Sequence, residues 1–205
     1  MESHLRAGVA IYNAGGHHAA RDAWEDYWLG LESGIDDKRF LHGLIQFTAA
    51  VYHARNCNWS GATGLAESAG GYLADLPAGY RDVNVGSVRA YLSRLASDPE
   101  LVERREPLQL VHHGTRLLPA GLGFEATCVA ADVLAEEDGY DEETVDRAAG
   151  YARADLDAGE SESPFVTLLF DFVREPDDRG VVFRRLSEYV DRRAGRKADV
   201  EGLFE

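Results

Sequence analysis

A chain of 205 residues, 45% of them hydrophobic, is long enough to bury the core of one domain or two small ones and too apolar to stay disordered. Acidic residues outnumber basic ones 36 to 21, a formal charge of −15, and that field opposes wrapping DNA, RNA or an anionic membrane. No run approaches about 18 consecutive apolar residues and no basic-then-apolar leader pattern opens the chain, so the expectation is a cytoplasmic protein that spans no membrane.

The basic residues are lopsided. Lys38 and Lys197 are the lysines, and the rest are arginines. Such a surface repels itself at low ionic strength, and at about 1 M salt, where the screening length is roughly 3 Å, the repulsion fades. A salt-adapted interior accounts for the acidity and the missing lysines together; an ordinary acidic protein with arginine-favouring codons is the alternative. Cys57 and Cys128 have no metal-type spacing, and two buried free thiols are expected.

Helical periodicity runs through most of the chain. The first helix spans about Glu2 to Asn13 and stops at Gly15-Gly16. The second runs from His17 to about Leu31, with Trp24, Tyr27, Trp28 and Leu31 as its apolar stripe. Asp36 or Asp37 caps a third, Lys38 to Arg55, which is apolar on most sides and therefore central; Gly43 marks a close approach to a neighbour. A fourth covers about Trp59 to Ala74 and a fifth about Val85 to Ser97. From Asp98 to Gly123, prolines and glycines break the pattern into an irregular connection. Helices resume over Phe124 to Glu137, then Glu142 to Ala158 capped by Asp141. The Ser163-Pro164 start opens a further helix, for which a strand competes, and Arg179 to Arg193 is the last. The fold class is all-α, a bundle of eight to ten helices in one or two sub-bundles. Its expected divisions are 1–97, the irregular 98–123, and 124–205 packed on the first.

Several motifs carry little. Gly121-Leu122-Gly123-Phe124-Glu125-Ala126 matches the dinucleotide pattern G-x-G-x-x-A, but no strand feeds it and no second βαβ unit follows. The pairs His17-His18 and His112-His113 invite a metal, yet neighbours on a helix point about 100° apart, and exposed or capping histidines are the simpler reading. Arg184, Arg185, Arg192 and Arg193 form a basic patch that suits the negative end of a helix dipole.

The third helix holds the pattern of most interest. His42, Gln46, Ala49 and His53 share one face, and the helix before it offers His18, Arg21 and Glu25 at i, i+3 and i+7. Two polar stripes on consecutive, antiparallel helices predict a buried seam in which Arg21, Glu25, Gln46 and His53 hydrogen-bond to one another. Such a seam either fixes the register of two helices or lines a pocket.

At these helices the chain resembles a family known only as domain of unknown function 309. The resemblance rests on Tyr12-Asn13-x-Gly15, Trp24-Glu25-x-x-Trp28, Gly43-Leu44-Ile45-Gln46-x-x-Ala49-Ala50-x-Tyr52-His53 and Asn58-x-x-Gly61-Ala62, over roughly Ile11 to Leu76. It implies a compact helical bundle without an assigned activity, in which Asn13, Trp24, Glu25, Gln46 and His53 belong to a shared polar and aromatic centre. The family usually reads close to Glu-Ala-His-Glu before its Trp-Glu step. Ala19-Ala20-Arg21-Asp22 stands there instead, exchanging a metal-type ligand for a cation that pairs with Glu25 or receives an anion.

The candidate pocket is thus Asn13, Arg21, Trp24, Glu25, His42, Gln46 and His53. The favoured function is a non-enzymatic binding or interaction module, with a metal-dependent or acid–base hydrolase using Glu25 and His53 as the alternative. No cofactor and no metal are assigned. A small ligand or protein partner is expected, nucleic acid and membrane are not, and homo-oligomerisation is left open.

Overall fold

The computed structural model describes residues 1–160 and 162–201, with side chains through residue 196. Residues 202–205 of the expected C-terminal region lie outside the described residues, as does position 161. The protein is all-α. Its helices are α1 (Glu2–Asn13), α2 (His17–Leu29), α3 (Asp36–Arg55), α4 (Trp59–Leu73), α5 (Val85–Ser97), α6 (Leu101–Arg104), α7 (Phe124–Asp138), α8 (Glu142–Asp157), α9 (Pro164–Arg174) and α10 (Arg179–Glu201). Two-residue strands β1 (Val111–His112) and β2 (Thr115–Arg116) form an antiparallel hairpin with Val111 opposite Arg116. Among the described residues no helix is long and apolar enough to cross a membrane. The chain divides into two compact units, Met1–Leu122 and Gly123–Glu205.

In the first unit, α1 to α5 pack as successive neighbours, α1 on α2, α2 on α3, α3 on α4 and α4 on α5. Local chemistry accounts for their ends. Gly15 takes φ 97, a left-handed turn open to glycine, and Gly16 N–H closes on Ile11 O at 3.0 Å. Asn58 caps α4 by accepting from the Gly61 N–H at 3.1 Å. The expected aspartate cap of α3 is absent: Ile35 occupies that position, and Asp37 instead takes the Tyr80 hydroxyl and the Arg81 guanidinium, both at 2.8 Å. Those donors hold the Asp37 carboxyl below its usual range, Arg81 foremost.

Two glycines set helix spacing. A Cβ at Gly8 of α1 would fall 2.2 Å from Trp24 Nε1, and one at Gly43 of α3 would fall 2.5 Å from Leu73 Cδ2. Both let a large, fully buried side chain lie directly on backbone.

The segment expected to be an irregular connection belongs to the first unit. It contains α6 and the hairpin, and His112 bridges to Val83.

In the second unit, α9 packs on α7, α8 and α10. The competing strand for that segment is not formed. The Ser163 hydroxyl sits at the helix start, accepting from the Val166 N–H at 3.5 Å and donating to Asp155 at 2.7 Å. Asp155 is 1% exposed and its other oxygen lies 2.8 Å from Arg193, so α8, α9 and α10 meet on one buried carboxylate. Arg193, expected in a basic surface patch, is thereby neutralised, and Arg192 pairs along its helix with Glu188 at 3.9 Å. Cys128 is buried and free, its thiol pushed up to about 11 by burial. Cys57, expected to be buried, is exposed at φ 58, just past the end of α3.

The glycine contacts give substitutions of opposite sign. Gly8→Ala and Gly43→Ala should each cost about 1–3 kcal/mol by overpacking. Gly64→Ala, with nothing within 4 Å of the new methyl, should gain about 0.5–1 kcal/mol by restricting the unfolded chain. Urea denaturation of the three variants checks the signs. A stabilised Gly8 variant would refute the packing account.

Candidate functional site

The expected seam does not form as a buried network. Arg21 pairs along its own helix with Asp22 at 2.7 Å and Glu25 at 3.5 Å, and the Arg21 and Glu25 side chains are 37% and 41% exposed. On α3, Gln46 Nε2 lies 3.1 Å from His42 Nε2, while His53 Nδ1 faces Asn58 Nδ2 at 2.9 Å. The cause is the inner face of α2. Ala19, Ala20, Ala23 and Trp24 are buried there, so the polar line is turned to the flank. Glu25 and His53 are therefore in different clusters, which removes the geometric basis for an acid–base pair.

The other expected residues have separate roles. Trp24 is fully buried, and its indole N–H donates to Leu5 O at 3.3 Å. His42 sits between the Trp28 and Tyr72 rings, with centroids 4.9 and 4.1 Å away, and burial lowers its pKa against the pull of Glu25. Asn13 is the residue around which a site is built.

Asn13 ends α1 and is 5% exposed. Its amide nitrogen donates to Leu110 O and Leu117 O, and its oxygen accepts from the Leu110 N–H, each at 2.8 Å. Every polar atom of the side chain is satisfied by backbone nearly a hundred residues away. Asn84 repeats the device on the other side, accepting from the Val111 N–H at 2.9 Å and donating to Gln109 O at 3.2 Å. Asn13 takes the place that a flanking strand would occupy, and the Asn84 side chain extends the short backbone pairing of residues 82–84 with 111–113, so a segment too short for a sheet still satisfies its backbone groups. Tyr12 adds a hydrogen bond from its hydroxyl to Leu108 O at 2.8 Å.

This clamp opens a cleft of about 290 Å³ between the end of α1, the start of α2, the end of α3 and the docked segment. Tyr12, Asn13, His17, Arg55, Gln109 and Arg116 line it, with Glu106 at one side. Neither Arg55 nor Arg116 has a carboxylate within 4.0 Å among the described residues, although the chain carries 36 acids. Arg116 makes one long contact, 3.5 Å, to Asn13 O. The Gln109 Oε1 atom is buried without a hydrogen-bond partner. His17 stands edge-on to Tyr12 at 5.3 Å; burial first, and the Arg55 charge second, lower its pKa. Burial also raises both phenols facing Arg55, Tyr91 to about 12 and Tyr12 further. The cleft is thus polar, carries two guanidiniums against one carboxylate, and holds a histidine in its neutral form at pH 7.

Of the expected pocket residues only Asn13 lines this cleft. Tyr12 and His17 were noted in the sequence without a site role, while Arg55 looks like an ordinary helix end, and Gln109 and Arg116 lie where periodicity fails.

The fold and site define a helical protein with a polar, cationic cleft in its first unit. A family model described as a domain of unknown function (DUF309) matches residues 5–65, the region carrying Tyr12, Asn13, His17 and Arg55. An uncharacterized protein of Aquifex aeolicus (strain VF5) is 27% identical over 97 residues, which is 47% of this chain and 29% of that protein. This similarity spans under a third of the relative's length, and neither description carries an activity.

The clamp predicts a large effect from one small change. Asn13→Ala leaves two buried carbonyls and one N–H without partners, at about 1–3 kcal/mol each, so a loss of at least about 3 kcal/mol is expected in urea denaturation. Asn13→Asp should not rescue it, because a second oxygen would then face the Leu110 and Leu117 carbonyls. A loss under about 1 kcal/mol for either variant would show that the segment docks without the amide.

Proposed function

We propose that the first unit is a non-enzymatic binding module whose cleft receives a small anionic molecule of the phosphate or carboxylate class. The observation that carries this reading is the pair of arginines, Arg55 and Arg116, that line a cleft without carboxylate partners among the described residues, on a protein of charge −15. Two guanidiniums that share one polar cleft can together hold an anion that neither would hold alone. Asn13 holds the segment bearing Arg116 in place, and the start of α2 adds the positive end of a helix dipole beside His17.

Titration with inorganic phosphate, and separately with citrate, at low and matched ionic strength tests the reading. Saturable binding is expected, with Arg55→Ala and Arg116→Ala each weakening it about 10- to 100-fold, the worth of a charge-assisted hydrogen bond. Glu106→Gln should tighten it. An anion that neutralises Arg55 removes one cause of the depressed His17 pKa, so ligand should raise that value in an NMR titration. No saturable binding, or binding indifferent to both arginines, would end the proposal.

We further infer that the protein works in a salty, reducing cytoplasm. The −15 charge, the scarcity of lysine and two free cysteines support this. Its thermal midpoint should rise between about 0.1 M and about 2 M KCl, where screening becomes complete. An unchanged or lower midpoint at high salt would contradict salt adaptation.

A further inference from the structure

A second cluster of chemistry-bearing side chains lies on the same docked segment, apart from the cleft. Adjacent histidines diverge on a helix, which is why sequence alone set His112-His113 aside. They are not on a helix. His112 ends β1, His113 begins the turn at φ 49, and the two rings stand 4.2 Å apart between centroids. Glu2, at the start of α1, completes the group: one ligand atom from each of Glu2, His112 and His113 lies within 4.8 Å of the other two.

We propose that Glu2, His112 and His113 form a binding site for a divalent transition metal of the zinc class, with Asp82 orienting His113. Two imidazoles and a carboxylate are a donor set suited to Zn²⁺, and three protein ligands leave one position open.

The independent observation is His112. Its side chain is 1% exposed, its Nε2 atom makes no hydrogen bond, and the nearest carboxylate oxygen, from Glu2, lies 3.6 Å away. A buried imidazole nitrogen without a partner is unusual, and a metal ion beside Glu2 would satisfy it. His113 is arranged in the complementary way. Its Nδ1 faces Asp82 at 3.5 Å, and a hydrogen bond closed there on metal binding would leave Nε2 for the ion, the carboxylate–histidine–metal pattern. Ligands sharing one tetrahedral Zn²⁺ stand about 3.3 Å apart, so the cluster must tighten. Glu2 and His113 are the mobile partners, at 61% and 56% exposure, and close onto the fixed His112.

Arg6 opposes the ion. Its Nη1 lies 3.4 Å from His112 Nδ1, and a guanidinium only donates, so in the metal-free protein the ring proton sits on Nε2. Metal binding moves that proton to Nδ1 and releases Arg6, which keeps its hydrogen bond to Gly121 O at 3.2 Å. Removing the arginine charge therefore favours the site.

The test uses the full chain without a histidine tag, titrated with Co²⁺ for its tetrahedral absorption bands and then with Zn²⁺ in competition. One equivalent is expected. His113→Ala and Glu2→Gln should each weaken binding by at least about tenfold, Asp82→Asn by about 10- to 100-fold, and Arg6→Gln should tighten it roughly tenfold, on the scale of outer-shell effects. The two ligand variants change exposed side chains, and their metal-free melting curves should match that of the parent. Arg55→Ala, which tests the anion cleft, should leave Co²⁺ affinity unchanged. Absence of tetrahedral Co²⁺ bands, or parental affinity in both His113→Ala and Glu2→Gln, would overturn the site.

Discussion

The first unit depends on one carboxamide. The Asn13 side chain bonds Leu110 through both its nitrogen and its oxygen, and Leu117 through its nitrogen, all at 2.8 Å. Those bonds decide where a non-helical segment rests in an otherwise helical unit. Leu110 and Leu117 are buried beneath it, and the intervening hairpin projects His112 and His113 on one side and Arg116 on the other. Backbone groups of a two-residue strand have few partners of their own. Without Asn13 and Asn84 they would need water, and a segment drawn into solvent would take both the cleft and the histidine cluster with it.

That dependence also explains what was legible in the sequence. The helices were, because their signals are local: the glycines after α1, the Asp141 and Ser163 caps that accept from Thr144 and Val166 N–H groups, and the close approach at Gly43 that Leu73 fills. The polar stripes on α2 and α3 were legible as stripes but not as a network. Whether two stripes meet depends on how the helices rotate about their axes, and four small or flat residues of α2 decided that. Of the cleft, only Asn13 was legible as a site residue, and its opposite wall was not. Its walls are joined by contacts spanning 96 to 104 residues, and no period or motif encodes a pairing at that distance.

Charge tells a parallel story. A protein with 36 acids against 21 bases has carboxylates to spare, and several arginines use them: Arg81 with Asp37, Arg153 with Glu125, Arg193 with Asp155. Others serve backbone. Arg89 donates to the Leu73, Ala74 and Leu76 carbonyls, completing the end of α4, where orphan acceptors face a helix dipole. Among the described residues Arg55 and Arg116 have no carboxylate partner, and Arg116 makes one long contact to the Asn13 carbonyl. Net charge thus says little about local composition, since a strongly negative molecule still sets two guanidiniums against one carboxylate in a small concavity.

The family match covers one wall of the cleft and not the other. Residues 5–65 supply one wall of the cleft, with Tyr12, Asn13, His17 and Arg55, while Gln109 and Arg116 on the opposite wall lie outside the matched region. Asn13 lies inside the matched region and the segment that binds its amide lies outside it. The physical requirement travels with Asn13, because a buried amide needs partners wherever it occurs. The identity of those partners does not. The docked segment of this chain sets the shape and charge of the second wall. In this chain the segment brings one guanidinium, Arg116, and one amide, Gln109, and that choice makes the cleft cationic.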